Sequence, residues 1–325
     1  MRDSEFWTHL ADTLETGSPV CLVIMVQAAG DGPNRPGARM LVTADANRFG
    51  TVGGGASEFQ LAERAKVLLS NPPESGTQWI TLQHSDSGKS GGSGMLCSGT
   101  QVFALTVLTP DQAEKIRTLA SACENTQPVR FTLSAAGLEI DRASDNKGRL
   151  RFYAGQQRYS ESVGTADTAT LIGGGHVSLA LSPLLTGLGM RVHVLDNRDG
   201  LKTMAENRFA RERRVIDYED IQAYIPEGRQ SFVCIMTFAH QYDEFVLRRL
   251  IDMELRYLGM IGSLKKIKTI FEHLKTDGVP QAALNRVHAP IGLDIGSNTP
   301  EEIAVSIAAE IIALKNKRVK KGSKK

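Results

Sequence analysis

The sequence predicts an α/β protein in which an N-terminal α+β domain precedes a domain with a doubly wound parallel sheet. Within residues 1–164, hairpin patterns alternate with amphipathic helices, whereas residues 165–314 repeat short apolar strands separated by helices. The small polar segment SVGTADT lies at the boundary between these two patterns. A chain of 325 residues is long enough to form two hydrophobic cores.

Hydrophobic periodicity and turn residues define the elements of the first half. An amphipathic helix at about residues 4–16 precedes the apolar strand CLVIMVQAA. Turn residues then lead into a hairpin, ARMLVTADANRFGTVGGG, and into the helix SEFQLAERAKVLLS, which ends at Asn71-Pro72-Pro73. After the low-complexity loop SDSGKSGGSG, three further elements are predicted: the strand TQVFALTVL, the helix PDQAEKIRTLASACE and the hairpin PVRFTLSAAGLEIDR.

In the second half, apolar strands separated by amphipathic helices predict a parallel sheet that is covered on both faces. The predicted strands are TLIGG, RVHVLD, RRVID, SFVCIMTF and RYLGMIGS. The helices between them are HVSLALSPLLTGLG, YDEFVLRRLIDMEL and KKIKTIFEHLKTDG. A final helix is predicted after Thr299, which is followed by Pro300 at the first helical position and Glu302 at the third.

Cysteine usage and hydropathy exclude several classes of protein. The four cysteines (Cys21, Cys97, Cys123 and Cys234) form no CxxC pair, which argues against a disulfide scaffold and a structural zinc site. The N-terminal segment has no apolar signal-peptide core, and no stretch approaches the ~18 apolar residues of a membrane span. We therefore expect a cytoplasmic protein that does not bind membranes.

The net charge of +2 conceals an uneven distribution. Residues 315–325 contain seven Lys and Arg residues and no acid, so the rest of the chain is net acidic. We expect this basic tail to be solvated and disordered. The acidic body has no basic, aromatic-interleaved face, which argues against nucleic-acid binding.

A glycine-rich loop, GGGHVS at residues 173–178, follows a predicted strand and opens a helix, as in Rossmann-like domains. Gly173 permits the tight turn, and Gly175 lets backbone N–H groups approach a phosphate at the helix N-terminus, beside His176. Ser178 stands where the fingerprint has its last glycine. Asp196 ends the next strand, where an acid binds a ribose 2′-hydroxyl, so a dinucleotide pocket should prefer NAD over NADP.

Two further segments of the second half carry polar groups past strand ends. Gly262 and Ser263 lead into a helix that starts with Lys265 and Lys266, which suits an anion; the alternative is a solvated basic helix face. His240 and Asp243 follow the strand SFVCIMTF. A histidine there serves equally as a structural hydrogen-bonding group or as an acid–base group.

Two glycine-rich segments mark the first half. Gly53, Gly54 and Gly55 end a strand before a helix that carries Glu58, and three consecutive glycines favour close approach of a ligand or of another backbone. The segment GMLCSG ends at Gly99 and places Cys97 between a mobile loop and a strand, which suits an accessible thiol. The alternative is that Cys97 is an inert cysteine.

These segments, in this order, resemble the XdhC/CoxI family, the accessory factors of xanthine dehydrogenase and related molybdenum hydroxylases. The resemblance extends over about residues 14–314. The most specific segments are RPGARMLV, GTVGGGASE, GMLCSG, LIGGGHVS, YLGMIGSLKK and PIGLDIGSNTPEEIAVSIAAEI. The resemblance implies an N-terminal XdhC/CoxI-type domain followed by a Rossmann-like domain.

The resemblance also implies a non-catalytic chaperone of the molybdenum cofactor, either molybdopterin or its cytosine dinucleotide form. Such a chaperone protects the cofactor, supports its sulfuration by a cysteine desulfurase and inserts it into an apo molybdenum hydroxylase; we expect a homodimer. The family's cysteine motif maps onto Cys97-Ser98-Gly99, so Cys97 is expected to contact molybdenum or sulfur. The expected cofactor-binding residues are Gly53, Gly54, Gly55, Glu58, Cys97, Gly99, Gly173, Gly175, His176, Asp196, Gly262, Ser263, Lys265 and Lys266.

Two departures from the family pattern affect the thiol site. Many members have a further cysteine after the triple glycine, where this sequence has Ala56, and Ser98 replaces a glycine of the cysteine motif. Cys97 is therefore expected to act without a second thiol from that position.

Two other function classes remain open. The first is a nucleotide-dependent enzyme, either an NAD-linked oxidoreductase or a nucleotidyltransferase acting on the pterin. Such an enzyme needs an acid–base group or a metal-binding carboxylate pair; His240 with Asp243 is the nearest candidate, and the sequence has no DxD motif. The second is a partner-binding protein whose Rossmann-like domain serves only for docking.

Overall fold

The computed structural model describes residues 3–30, 35–73, 76–84, 99–125, 127–142 and 150–316. Contacts divide these residues into two units, one that ends at Thr165 and one that begins at Ala166. The predicted loop SDSGKSGGSG, Cys97 and the basic tail after Asn316 lie outside the described residues. Within them, no helix is long and apolar enough to cross a membrane.

Two antiparallel sheets and three α-helices form the described part of the N-terminal unit. The helices are α1 (Asp3–Glu15), α2 (Gly55–Ser70) and α3 (Ala113–Asn125). The first sheet contains β1 (Val20–Gly30), β2 (Arg39–Thr43), β3 (Arg48–Thr51), β4 (Thr77–His84) and β5 (Gly99–Leu108), in the spatial order β3-β2-β1-β5-β4. The second contains β6 (Val129–Ser134), β7 (Gly137–Arg142), β8 (Leu150–Tyr153) and β9 (Arg158–Val163), in the order β7-β6-β9-β8.

The strand β1 is continuously apolar from Val20 to Val26 because the first sheet is covered on both faces. Successive side chains of a strand point to opposite faces, so β1 contributes to two different cores. One core also contains residues of α1, α3 and the second sheet, and the other contains residues of α2. The first receives Val20, Leu22, Ile24 and Val26; the second receives Cys21, Val23 and Met25.

The sequence correctly predicted α1, β1, the hairpin of β2 and β3, α2, β5, α3 and the hairpin of β6 and β7. It missed β4, β8 and β9. The strand β9 reads RYSESV, which lacks the aliphatic alternation of a half-buried strand, yet Ser160, Glu161 and Ser162 are all buried. Pairing with β6 and β8 on either side buries this polar segment, and that pairing is not a local property of its sequence.

A buried ion pair joins the two sheets of the N-terminal unit. The Nη2 atom of Arg39 on β2 donates to Oε1 of Glu161 on β9 at 2.8 Å, and the two side chains are 7% and 3% exposed. The Tyr159 hydroxyl donates to Oε2 of Glu161 at 2.8 Å. Burial opposes the charge of Arg39, but the carboxylates of Glu161 and Asp3 raise its pKa above the ordinary value.

The described part of the C-terminal unit has a six-stranded parallel sheet. Its strands are β10 (Thr168–Ile172), β11 (Arg191–Asp196), β12 (Glu212–Val215), β13 (Gly228–Ile235), β14 (Leu255–Met260) and β15 (Val287–His288). Their spatial order is β12-β11-β10-β13-β14-β15, so the direction of winding reverses between β10 and β13. The α-helices are α4 (His176–Gly187), α5 (Lys202–Glu206), α6 (His240–Leu250), α7 (Leu264–Thr276), α8 (Gln281–Leu284) and α9 (Pro300–Asn316).

Helices cover both faces of this sheet, which confirms the predicted doubly wound arrangement. Residues of α4 and α9 share one core with the sheet, and residues of α6, α7 and a 3-10 helix at Tyr218–Tyr224 share the other. The predicted start of α9 is also confirmed: Thr299 Oγ1 accepts the Glu302 N–H at 3.2 Å, and Glu302 Oε2 accepts the Thr299 N–H at 3.1 Å. The sequence missed β15, which is only two residues long.

The substitution Glu161→Gln is expected to lower the free energy of unfolding of the N-terminal unit by about 3–5 kcal/mol, because it leaves the Arg39 charge buried without its partner. Both tryptophans, Trp7 and Trp79, lie in this unit, so urea unfolding followed by tryptophan fluorescence measures its stability selectively. The matched control is Arg117→Gln, which removes an exposed pair with Asp12 and is expected to cost less than about 1 kcal/mol. Equal effects of the two substitutions would contradict the expectation.

Candidate functional site

Doubly wound parallel sheets bind ligands in a crevice at the point where the winding reverses, and in the C-terminal unit this point lies past the ends of β10 and β13. We call this region the crevice. The two strand ends are in close contact there. The Met236 N–H donates to the Ile172 carbonyl at 2.7 Å, and a Cβ atom on Gly173 would lie 2.1 Å from the Met236 carbonyl oxygen. Gly173 also has φ +111°, a conformation that favours glycine. Packing and backbone conformation therefore both require a glycine at this position.

The next two glycines of the loop have different roles. The Gly174 N–H donates to Oδ2 of Asp196 at 2.7 Å, so it is directed into the protein. Gly175 is the N-cap of α4 with φ −77°, which any residue adopts, and a Cβ there would meet no described atom within 4 Å. Within the described residues no side chain caps this helix. The open space at Gly175, beside the exposed His176, therefore lies at the positive end of the α4 dipole.

Ser178 fits the position of the missing third glycine because its hydroxyl has a partner. The side chain is 1% exposed, and its Oγ donates to the carbonyl of Gly173. The Ser178 carbonyl in turn accepts the Ser182 hydroxyl at 2.7 Å. The serine thus joins the first turn of α4 to the glycine loop, and it lies inside the protein rather than in the crevice.

Protein donors occupy the carboxylate of Asp196 completely. Its Oδ1 accepts the Arg198 N–H at 2.9 Å and Arg198 Nε at 3.0 Å, and its Oδ2 accepts the Gly174 N–H at 2.7 Å and Arg198 Nη2 at 2.9 Å. A carboxylate has about four lone-pair sites, so none is left for a ribose 2′-hydroxyl. Burial raises the pKa of Asp196, but these hydrogen bonds outweigh it and lower the pKa below the ordinary value. The expected ribose contact is therefore corrected: Asp196 holds the loop and Arg198.

Arg198 and Phe238 were not predicted as site residues, although Arg198 follows the predicted strand RVHVLD and Phe238 is the last residue of the predicted strand SFVCIMTF. The guanidinium carbon of Arg198 lies 4.3 Å from the centre of the Phe238 ring, and the ring is 53% exposed. A cation over an aromatic face is attracted by the quadrupole of the ring. The available signals were an arginine two residues after the acid of the fingerprint and an exposed aromatic residue past an apolar strand.

The predicted anion site at the start of α7 is only partly supported. Ser263 is the N-cap of α7, and its Oγ accepts the Lys266 N–H at 3.3 Å. The Lys266 ammonium donates to the Ile261 carbonyl at 3.2 Å and forms an ion pair with the fully buried carboxylate of Asp243. Lys266 therefore neutralises Asp243 and is not a free cation in the crevice. Lys265 is exposed, as a solvated helix face requires.

The possible acid–base pair of His240 and Asp243 is not formed. Oδ1 of Asp243 accepts the N–H of Thr237 at 3.0 Å and the Thr237 hydroxyl at 2.7 Å, while Oδ2 binds Lys266. His240 is exposed at the start of α6. Asp243 is therefore a structural group that connects the end of β13 to α7.

In the N-terminal unit, the triple glycine forms the turn that leads into α2, in a backbone conformation that glycine adopts without strain. Gly53, Gly54 and Gly55 have φ angles of +139°, +70° and +67°, which side-chain-bearing residues rarely adopt. The predicted glycine requirement is thus one of backbone conformation. At Gly54, for which no described atom would lie within 4 Å of a Cβ, the loop borders open space.

Glu58 stabilises this loop instead of pointing to a ligand. Its Oε2 accepts the Val52 N–H at 3.0 Å, the Gly54 N–H at 3.0 Å and the Thr51 hydroxyl at 2.5 Å. Burial raises the pKa of Glu58, but these hydrogen bonds and the charge of Arg48 bring the pKa below the ordinary value. The prediction that Glu58 binds a cofactor directly is corrected to a role in positioning the triple glycine.

The sheet register directs the triple glycine and Gly99 towards the same end of the first sheet, but at different levels. Thr51, at the end of β3, pairs with Arg39, and Arg39 pairs with Ile24 in the middle of β1. Gly99, at the start of β5, pairs with Gly30 at the far end of β1. β3 therefore leads towards the end of the sheet at which the chain enters β5, and the two levels differ by about 20 Å along β1. Cys97 precedes this point but lies outside the described residues.

The described cysteines include two that are unsuited to chemistry. Burial raises the pKa of Cys21 to about 12 and raises the pKa of Cys234 as well, so neither thiol ionises readily. Both thiols are buried, as their positions inside apolar strands predict, whereas the accessibility of Cys97 stays a prediction. In the described ranges, no group of three or more His, Cys, Asp or Glu side chains is arranged to hold a metal ion.

Comparison with known families identifies both parts of the chain. A family model described as the XdhC Rossmann domain matches residues 170–311. A second model, described as the XdhC and CoxI family, matches residues 13–77. The two matches together cover more than half of the chain, and each falls within one of the two units.

Two curated relatives match nearly the whole chain. YqeB of Escherichia coli, described as an uncharacterized protein, is 25% identical over 95% of this chain, which spans only 46% of YqeB. The chain thus covers about half of that relative. A Bacillus subtilis protein described as a probable subunit of xanthine dehydrogenase is 24% identical, over 94% of this chain and 96% of its own.

A solved structure shares the fold. The crystal structure described as a xanthine dehydrogenase from Bacillus halodurans superposes with a TM-score of 0.74 and 23% identity, over 99% of this chain and 98% of the other. At this identity the likeness establishes the fold of the two units.

The substitution Gly173→Ala is expected to destabilise the C-terminal unit by about 2–5 kcal/mol, because a Cβ collides with the Met236 carbonyl and φ is positive. In the same loop, Gly175→Ala provides the matched control and is expected to change stability by less than about 1 kcal/mol. Hydrogen–deuterium exchange of peptides from the C-terminal unit measures both effects. A tolerated Gly173→Ala would show that the two strand ends are not in the close contact described.

The substitution Glu58→Gln is expected to lower the free energy of unfolding by about 1–2 kcal/mol at pH 7, since a neutral amide is a weaker acceptor than a carboxylate. A group whose pKa is lowered by folding stabilises the protein above its ordinary pKa of 4.5, and this contribution is lost as pH falls through the folded pKa. The difference between parent and variant should therefore shrink below pH 4.5. Urea unfolding followed by tryptophan fluorescence between pH 7 and about pH 3 tests this.

The control for this series is Glu63→Gln on the same helix, whose exposed pair with Lys66 is expected to contribute less than about 0.5 kcal/mol. A difference between parent and Glu58→Gln that does not depend on pH would contradict the assigned hydrogen bonds.

Proposed function

This chain belongs to the XdhC and CoxI family, and from that premise we propose that it is an accessory factor of a molybdenum hydroxylase of the xanthine dehydrogenase type. In this proposal the protein binds molybdenum cofactor, protects it, presents it to a cysteine desulfurase for sulfuration and inserts it into the apo-enzyme. A second copy of the chain is proposed as a further partner, in a homodimer. When bound, the cofactor supplies the molybdenum and dithiolene chemistry that the client enzyme uses.

The observation that carries the proposal is the open N-terminus of α4 at Gly175. Molybdopterin carries a phosphate, and a helix start without a side-chain cap offers N–H groups and a positive dipole to such a group. The exposed Phe238 ring and the Arg198 guanidinium lie past the ends of β13 and β11, the two strands that flank β10, and suit a flat, anionic pterin. These residues of the C-terminal unit therefore fit the phosphate and the ring system of the cofactor.

The thiol part of the proposal rests on the family motif that maps onto Cys97. A thiolate is a soft ligand that suits molybdenum or its terminal sulfur. In the triple glycine, Gly54 borders open space, and β3, which precedes it, leads towards the end of the sheet where β5 begins at Gly99. In the proposed function, this end of the first sheet receives the metal end of the cofactor.

The enzymatic alternative, an NAD-linked oxidoreductase or a pterin nucleotidyltransferase, has less support. Its candidate base, His240, is exposed, and the carboxylate expected to assist it, Asp243, is bound to Thr237 and Lys266 instead. A group that moves protons needs to lie within hydrogen-bond reach of its partner. We therefore propose a carrier that binds and delivers, with the chemistry performed by its partners.

The substitution Cys97→Ser is expected to abolish activation of an apo molybdenum hydroxylase while leaving the protein folded, because an alcohol does not replace a thiolate as a soft ligand. The measurement is recovery of hydroxylase activity after incubation of the apo-enzyme with the purified factor and the cofactor. Cys123→Ser is the control, since it removes a thiol on α3, and it should deliver cofactor as the parent does.

Equal delivery by the Cys97→Ser variant and the parent would remove the thiol from the proposal. Anaerobic purification followed by mass spectrometry of the bound small molecule tests the remainder. A pterin together with molybdenum supports the chaperone, whereas a dinucleotide that is turned over supports the enzyme.

A further inference from the structure

We infer that the crevice of the C-terminal unit recognises a phosphate monoester of its ligand through Arg198, and that Asp196 positions this arginine instead of reading a ribose hydroxyl. The inference deepens the proposed function, on which it rests for the presence of a ligand in this crevice. Two kinds of ligand carry the required group: a 2′-phosphorylated nucleotide, and a pterin with a terminal phosphate.

The end of β11 presents a positive charge to the crevice. Asp196 is fully buried and accepts four hydrogen bonds from Gly174 and Arg198. The side chain of Arg198 is 34% exposed. A ligand in the crevice therefore meets a guanidinium group, while the compensating carboxylate is buried and has no lone pair left to offer.

Arg198 retains hydrogen-bond donors that Asp196 does not use. A guanidinium has five N–H donors in a fixed plane. Asp196 occupies the Nε donor and one donor of Nη2, so three donors remain, two of them on Nη1. A planar group with several parallel donors matches a phosphate oxygen face, and the bidentate pair with Asp196 holds it in one orientation.

The contact between Arg198 and Phe238 lies at the point where the winding of the sheet reverses. The guanidinium lies 4.3 Å from the ring centre of Phe238, which follows β13, whereas Arg198 follows β11. The strands β11 and β13 flank β10, whose glycine loop opens α4. Arg198 and Phe238 therefore meet across the point where the winding reverses, which is where doubly wound sheets bind their ligands.

This arrangement reverses the preference expected from the sequence. An unpaired acid at the end of the second strand repels a 2′-phosphate and selects NAD. Here the acid is neutralised and an arginine two residues later is oriented by it, which favours the phosphorylated ligand. The crevice should therefore bind NADP⁺ more tightly than NAD⁺, or a phosphorylated pterin more tightly than its dephosphorylated form.

The experiment compares ligands that differ by one phosphate. Calorimetry is performed with NADP⁺ and NAD⁺, and fluorescence titration with the oxidised pterin of molybdopterin before and after removal of its phosphate. In at least one pair, the parent protein is expected to bind the phosphorylated member about tenfold or more tightly. Arg198→Lys, which keeps the charge beside Asp196 but loses the planar fork, should reduce that ratio to less than about threefold.

Two further variants separate recognition from folding. Arg249→Lys is the matched control, because Arg249 also lies over a ring, that of Phe245 at 3.8 Å, but at the opposite end of α6 from the crevice. It should keep the parent's ratio. Phe238→Ala removes an exposed ring and should lower the ratio several-fold, even if Arg198→Lys proves unstable.

The outcomes also distinguish this inference from the proposed function. Phosphate-dependent binding of the pterin that is lost in Arg198→Lys supports both. Phosphate dependence among the dinucleotides, together with no binding of either pterin, supports the inference and contradicts the cofactor chaperone. The same dependence together with pterin binding that ignores the phosphate supports the inference for dinucleotides and leaves the chaperone intact. Binding of the pterin that ignores its phosphate and Arg198, without a phosphate preference among the dinucleotides, overturns the inference and leaves the chaperone intact. The absence of a phosphate preference in both pairs likewise overturns it.

Discussion

The hydrogen bond from the Gly174 N–H to the buried carboxylate of Asp196 is the interaction on which the site of the C-terminal unit depends. It joins the loop after β10 to the end of β11, at a distance of 2.7 Å. A buried carboxylate is tolerated only when donors surround it, and Arg198 supplies the rest of them. The same carboxylate therefore fixes both the glycine loop and the cation beside it.

A carboxylate also holds the glycine loop of the N-terminal unit. Glu58 accepts the N–H groups of Val52 and Gly54, as Asp196 accepts that of Gly174. In both loops a carboxylate satisfies backbone donors, and a glycine borders open space: Gly175, next to the bound Gly174, and Gly54, whose own N–H is bound. Acids near glycine-rich loops are easily assigned to ligands, but both are occupied here because buried backbone donors need acceptors.

Two ion pairs past the strand ends of the C-terminal unit illustrate the difference between lysine and arginine. Lys266 and Arg198 each neutralise a fully buried aspartate. Lys266 also donates to the Ile261 carbonyl, so its compact ammonium is turned towards the protein. Arg198 keeps three donors because its planar group presents more N–H bonds than one carboxylate accepts. Only the arginine combines a structural role with capacity for an anion.

Local patterns in the sequence determined most of the elements, the doubly wound arrangement, the cap of α9 and the family. These features depend on residues close together in the chain, such as the spacing of apolar side chains and the Thr299–Glu302 box. Only the tertiary structure decided how the charged side chains pair. Arg39 meets Glu161 and Lys266 meets Asp243 because sheet register and helix packing bring distant segments together. The burial of the polar strand β9, the engagement of Asp196 by Arg198 and the loop-holding role of Glu58 follow from the same cause: a buried polar group takes whichever partners the fold places beside it.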